Sequence, residues 1–328
     1  MRIATLTAAA VIALLPLAAT AQQPAPSKPA FALPPESITV TSAKPSDESI
    51  RNFVETRAAP TRFLGKMARW RREACPFTIG LGDKYAKYVT QRIRDVAAAV
   101  GAPVAAPGCR PNIQVVFTTD PQGFMDAVRK SGPVFLGYHD NDSQAEELAK
   151  VAHPIQAWYT TESLDFDGVP QVDRGQCRST TTINTLPVKI GGDAGNPEGF
   201  VQLNLPCATV MHASGFRVNN GHDSAFYNVL IVAEPAKLFD YEVGSLADYI
   251  AMLALSQPAS LDSCLELPSI SNLLVKGCTT ASAKITDGDL AYLYGLYRVP
   301  SGYALSTQQD EMRFEMKKTL VTDKGGAQ

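Results

Sequence analysis

The stretch from Phe77 to Thr118 limits the possible folds more than any other part of the chain. A short apolar run, "FTIGL", precedes "DKYAKYVTQRIRDVAAAVG", in which Tyr85, Val89, Ile93, Val96 and Val100 recur every three or four residues and Gly101 stands just past the end. That spacing predicts one apolar helical face, with Asp83 as N-cap and Lys84, Lys87, Arg92 and Arg94 turned outward. "NIQVVF" follows, with Ile113, Val115 and Phe117 on one face of a strand. A strand, a long helix and a second strand make a crossover, so the two strands run parallel and lie next to or one apart from each other. Cys75 and Cys109 each precede one of these strands, so parallel pairing brings both to the same end of the sheet. The expected fold class is therefore α/β, with helices packed on a mixed sheet and stapled by a 75–109 disulfide.

The remaining cysteines are Cys177, Cys207, Cys264 and Cys278. Chain order suggests 177 with 207 and 264 with 278. Wide spacings without a CxxC pair favour disulfides over thiolate metal ligands, and disulfides need an oxidising compartment. The N-terminus agrees: Arg2 precedes an apolar run from Ile3 to Leu17 that ends in Ala19-Thr20-Ala21, the pattern of a cleaved signal peptide over residues 1–21. The run is shorter than the roughly 20 apolar residues of a bilayer span, and the mature chain shows no longer one. The expectation is a periplasmic or secreted protein with no transmembrane segment. A net charge of −2 without long charged runs points away from nucleic acid. Residues 22–47 read as a Pro/Ser-rich tether, 48–322 as a single domain and 323–328 as a disordered tail.

Along the domain, a helix is expected near 48–57. Another begins at Asp120-Pro121, and a third, capped by Ser143 with Glu146, runs to about Ala152. "PIQAWYTTES" and "VQLNLP" read as strands, and "FYNVLIVAEP", the most apolar, as the central one. "EVGSLADYIAMLALSQP" then reads as a helix capped by Ser245 and Asp248 and ended by Pro258. "TDGDLAYLYGLY" repeats the capping device with Thr286 and Asp289, and an amphipathic stretch covers 307–320.

This order of elements resembles the zincin metallopeptidases, and "ITDGDLAYLYGLY" is similar to the closing helix of their metzincin branch. "MARWRREACPFTIGL" resembles a zincin-like family of exported bacterial proteins of unknown function. "ITVTSAKPSDESIRNFV", "CPFTIGLGD" and "LADYIAM" resemble uncharacterised exported proteins of alphaproteobacteria over most of the chain. The zincin resemblance implies an active-site helix at 245–257, on which HExxH sets two histidines one turn apart around a zinc, with a Glu to polarise its water. Laid on this helix, the histidine positions are Ala247 and Ala251, the Glu position is Asp248 and the third ligand of the metzincin extension is Gln257. None of the ligands is present. The expectation is a non-catalytic member with no cofactor and no metal, in which Asp248 serves as a helix cap and the cleft binds a peptide, a protein or an envelope component.

The alternative is a hydrolase that uses the few histidines otherwise. His139 stands beside Asp140 and Asp142 in "GYHDND", and His212 and His222 flank "ASGFRVNNG" at hairpin spacing. "GHDSA" sets His222, Asp223 and Ser224 in a row, but neighbours in sequence rarely converge as a triad. "LDFDG" has the acidic alternation of a calcium loop without its later ligands.

Overall fold

The computed structural model describes residues 45–165, 167–173, 181–183, 203–205, 221–300 and 302–322. The elements run α1 (Asp47–Arg57), β1 (Ala68–Arg69), β2 (Pro76–Ile79), α2 (Asp83–Ala99), β3 (Ile113–Phe117), α3 (Pro121–Ser131), α4 (Asp142–Leu148), β4 (Ile155–Leu164) and β5 (Pro170–Val172). They continue with β6 (Thr181–Ile183), β7 (Leu203–Leu205), β8 (Asp223–Ala233), α5 (Val243–Leu255), α6 (Asp287–Arg298) and α7 (Leu305–Thr322). β6 and β7 pair with each other as a separate antiparallel ribbon.

The main sheet has the order β2-β3-β8-β4-β5, and β1 pairs with the first residues of β8. β2 and β3 are parallel, as the crossover predicted; β8 also runs parallel to β3, while β4 is antiparallel to both β8 and β5. The strand predicted as central lies between β3 and β4. All five residues of β3 are buried, because helices cover both faces of the sheet. On one face Ile113, Val115, Ile155, Val229 and Ile231 pack with α1, α2, α5, α6 and α7. On the other, Val116, Trp158, Leu230 and Val232 pack with α3, α4 and a short 3-10 turn at Pro133–Leu136.

Cys75 bonds Cys109 and Cys264 bonds Cys278, as chain order suggested. Cys177 and Cys207 lie outside the described residues, as do residues 1–44 and 323–328, on which the expected signal peptide, tail and most of the expected tether fall. The chain is a disulfide-stapled α/β protein with a mixed sheet, and among the described residues no helix is long and apolar enough to cross a membrane.

Three expected caps are displaced. Gly82 is the N-cap of α2 and Asp83 its first residue, still well placed for the positive end of the helix. Asn141, not Ser143, caps α4, its Oδ1 accepting from Gln144 N at 3.0 Å. The helix stops at Leu148 because its last carbonyls go elsewhere: Trp158 Nε1 donates to Leu148 O (2.6 Å) and Gln122 to Ala149 O (3.2 Å). At α5 the N-cap is Glu242, which makes no side-chain cap bond, so Ser245 and Asp248 lie inside the helix. The Thr286–Asp289 capping box of α6 forms as expected.

Candidate functional site

All thirteen residues of α5 are buried. Its alanines and leucines pack against neighbouring helices and the sheet, which leaves the carbonyls at its C-terminal end to be satisfied within the core. Three aromatic side chains do this: Tyr159 Oη donates to Leu253 O (2.9 Å), Trp70 Nε1 to Ala254 O (2.8 Å) and Tyr297 Oη to Leu255 O (3.0 Å). Burial pushes the Tyr159 hydroxyl well above the ordinary phenol range, so it remains a donor at any physiological pH.

The helix that the resemblance placed beside a metal is thus a core helix. Ala247 and Ala251 are fully buried among apolar neighbours. Asp248 is not the expected cap: its Oδ1 accepts from Arg92 Nε at 2.5 Å and its Oδ2 from Ile285 N at 2.8 Å, tying α5 to α2 and to the entry of α6. Truncating it removes an ion pair whose arginine is one-third exposed, together with a hydrogen bond to a backbone amide. Asp248→Ala should therefore lower unfolding stability by about 2 kcal/mol, checked by urea denaturation, and Arg92→Ala should reproduce most of that loss.

Of the four positions matched to the zinc pattern, Gln257, two residues beyond α5, lines an opening. It lines a cleft of about 320 Å³ together with Arg62, Gly137, Tyr138, Lys150, His153, Ala157, Tyr159 and the turn Pro258–Leu261. Its Oε1 is buried and has no hydrogen-bond partner among the described residues, while its backbone carbonyl accepts from Ala59 N (3.2 Å).

The cleft follows the outer edge of β4. Glu234 N bonds Pro154 O, and the β4–β8 register then alternates, so Gln156, Trp158 and Thr160 turn their backbone groups toward β8. Ile155, Ala157 and Tyr159 turn theirs the other way. β5 covers this edge only from Thr161 onward, where Asp173 N donates to Thr161 O (2.8 Å). Gly137 closes the edge at Tyr159. At φ +88° it brings its backbone so near that a Cβ there would stand 2.5 Å from Tyr159 O, which only glycine permits. Between that closure and His153, the N–H and C=O of Ala157 have no partner among the described residues.

The opposite edge of the sheet is protected. Ala74 bonds the 103–105 segment through both its backbone groups, so the next position in phase on that edge is Pro76, which carries no N–H.

Among the described residues the histidine alternatives form no shared site. His139 Nδ1 meets the carbonyl of Gly137 at 2.8 Å, and Asp140 accepts from Tyr138 Oη at 2.8 Å. Asp223 faces Arg69 and Arg71, and Ser224 Oγ lies 3.0 Å from Thr61 Oγ1, so these two neighbours look to different partners, while Lys66 Nζ donates to the backbone carbonyl of His222. His212 lies outside the described residues. In "LDFDG", between β4 and β5, Asp165 Oδ1 accepts from the amides of Asp167 and Val169. Among the described residues no three His, Cys, Asp or Glu side chains gather as a metal group.

Comparison with protein-family models, with curated proteins and with solved structures finds no match.

Proposed function

We propose that the chain is an exported, non-catalytic protein of zincin-like descent that binds an extended segment of another protein by adding it as a strand beside β4. One observation carries this reading: the backbone groups of Ala157 open into a cleft large enough for side chains, on a sheet whose other edge is blunted. Strand addition draws affinity from such main-chain groups and specificity from flanking pockets. Alanine at both histidine positions of a fully buried helix supports the non-catalytic part of the reading. Export rests on the N-terminal pattern, and the two disulfides are compatible with it.

The test uses residues 22–328 with disulfides formed and, as probe, a blocked neutral octapeptide alternating threonine and valine. On binding, amide hydrogen exchange at 155–159 should slow by about tenfold. Ala157→Pro removes the outward N–H without touching a β8 ladder bond and should abolish the effect. Exchange at 155–159 that ignores the probe, or a stoichiometric zinc retained by the purified protein, would overturn the reading.

A further inference from the structure

The rim of the cleft carries more information than its edge strand. Two of its charged side chains already have partners: Lys150 Nζ lies 2.5 Å from Glu147 Oε2, and His153 Nε2 lies 3.1 Å from Asp262 Oδ1. Arg62 is different. It is exposed on the cleft lining and has no ion pair among the described residues. Beside it in sequence, Phe63 is 41 % exposed and packs its ring 5.5 Å from that of Tyr138, another lining residue. A guanidinium unpaired among the described residues, next to a half-exposed aromatic pair, is the composition of a binding hot spot. Gln257 adds a buried acceptor that lacks a donor among the described residues.

Resting on the strand-addition reading, we propose that the occupant is an acidic extended segment. One of its Asp or Glu side chains pairs with Arg62, and the neighbouring large apolar side chain packs on the Phe63–Tyr138 pair. Its backbone exchanges hydrogen bonds with Ala157. The carboxylate is assigned on charge complementarity: among the described residues Arg62 is the rim charge left unmatched, whereas a basic segment would meet it without compensation. The chain as a whole is slightly acidic, with a net charge of −2, so no general attraction draws an anionic peptide to it.

Fluorescence anisotropy decides the matter, with residues 22–328 in oxidised form. The probe is a labelled octapeptide, blocked at both ends, in which glutamate alternates with valine and phenylalanine; the comparison probe carries lysine for glutamate. The glutamate probe should bind at least about tenfold more tightly than the lysine probe, and Arg62→Glu should reverse the preference. Arg62 is exposed, so its reversal leaves the fold intact. Ala157→Pro should weaken both probes, with protection of the 155–159 amides as the independent readout.

Equal binding of the two probes that is indifferent to Arg62→Glu but lost in Ala157→Pro would overturn the acidic preference and leave strand addition standing. Glutamate-probe binding that survives Ala157→Pro with no protection of 155–159 would place the carboxylate away from the edge and overturn the proposal. No binding of either probe would remove strand addition, and this inference with it.

Discussion

Asp223→Ala should destabilise the protein by about 3–5 kcal/mol, the loss that follows when one partner of a buried ion pair is removed. Asp223 Oδ2 lies 3.5 Å from Arg69 Nη2, with the two side chains 3 % and 1 % exposed. Arg71 Nε reaches the same oxygen at 3.2 Å from the surface side. Arg69 also donates to Leu296 O (3.3 Å), which spreads its charge without neutralising it. Burial already lowers the pKa of Arg69, and Asp223 is the largest opposing influence. Removing that carboxylate leaves a guanidinium in the interior next to the β1–β8 pairing. Equilibrium urea unfolding of Asp223→Ala measures the loss. The combined Arg69→Met and Asp223→Leu variant should recover most of it, because a well-packed apolar pair of similar volume replaces a buried ion pair at little cost. A loss below about 1 kcal/mol in Asp223→Ala would mean that solvent reaches Arg69 once Asp223 is gone.

The second large effect is a pH dependence that runs opposite to ordinary acid denaturation. Glu162, on β4 opposite Ala225, is fully buried, and its Oε1 has no hydrogen-bond partner among the described residues. Burial raises its carboxyl to about 7, against the opposing charge of Arg72, which bonds Oε2. Between the usual glutamate value and about 7 the folded state holds a proton that the unfolded state has released. Unfolding free energy therefore falls as pH rises through that window and levels off above it. The full contribution is about 3 kcal/mol. Asp173, which accepts from Thr161 Oγ1 and Ser163 Oγ at 2.6 Å each, is also raised by burial and adds a slope of the same sign beginning at lower pH. Glu162→Gln should flatten the decline between pH 5 and 8, as followed by urea midpoints at constant ionic strength. A wild-type stability that rises across the same interval would refute this assignment.

The parts of the fold legible in the sequence are those decided locally. The β2–α2–β3 unit with its flanking cysteines, the Asp120-Pro121 start of α3 and the capping box of α6 all depend on residues a few places apart. β8 can be placed at the centre of the sheet because its apolar run matches burial on two faces. The displaced caps of α4 and α5 have different causes, one local and one long-range. Ser245 with Asp248, and Ser143 with Glu146, match the capping pattern, yet Asp248 finds Arg92 from a distant helix and Asn141 takes the first turn of α4. A long-range ion pair leaves no trace in local spacing.

The site is legible only in part. Gln257 stands out in the sequence as a metal-ligand position rather than as part of a cleft wall. Arg62, Gly137 and Ala157 carry no motif, because the cleft is assembled from separate stretches near residues 61, 137, 150, 157 and 257. Gly137 is the one signal that sequence offers, and a glycine among "FLGYHD" reads as any other turn.

The place of β8 bears on how the chain reaches its folded state. The strand that joins the two halves of the sheet is the last of the sheet along the polypeptide, and it inserts between β3 and β4, which precede it by many residues. Until residues 223–233 arrive, β3 and β4 each present an unpaired inner edge. The Cys75–Cys109 bridge can hold β2 beside β3 during that interval, whereas the second bridge among the described residues, Cys264–Cys278, is made only later and does not touch β4. Pairing of such high sequence separation is slow, so the newly made chain passes through a stage with two open edges. A product cut short before residue 223 would remain at that stage and be a substrate for aggregation or proteolysis.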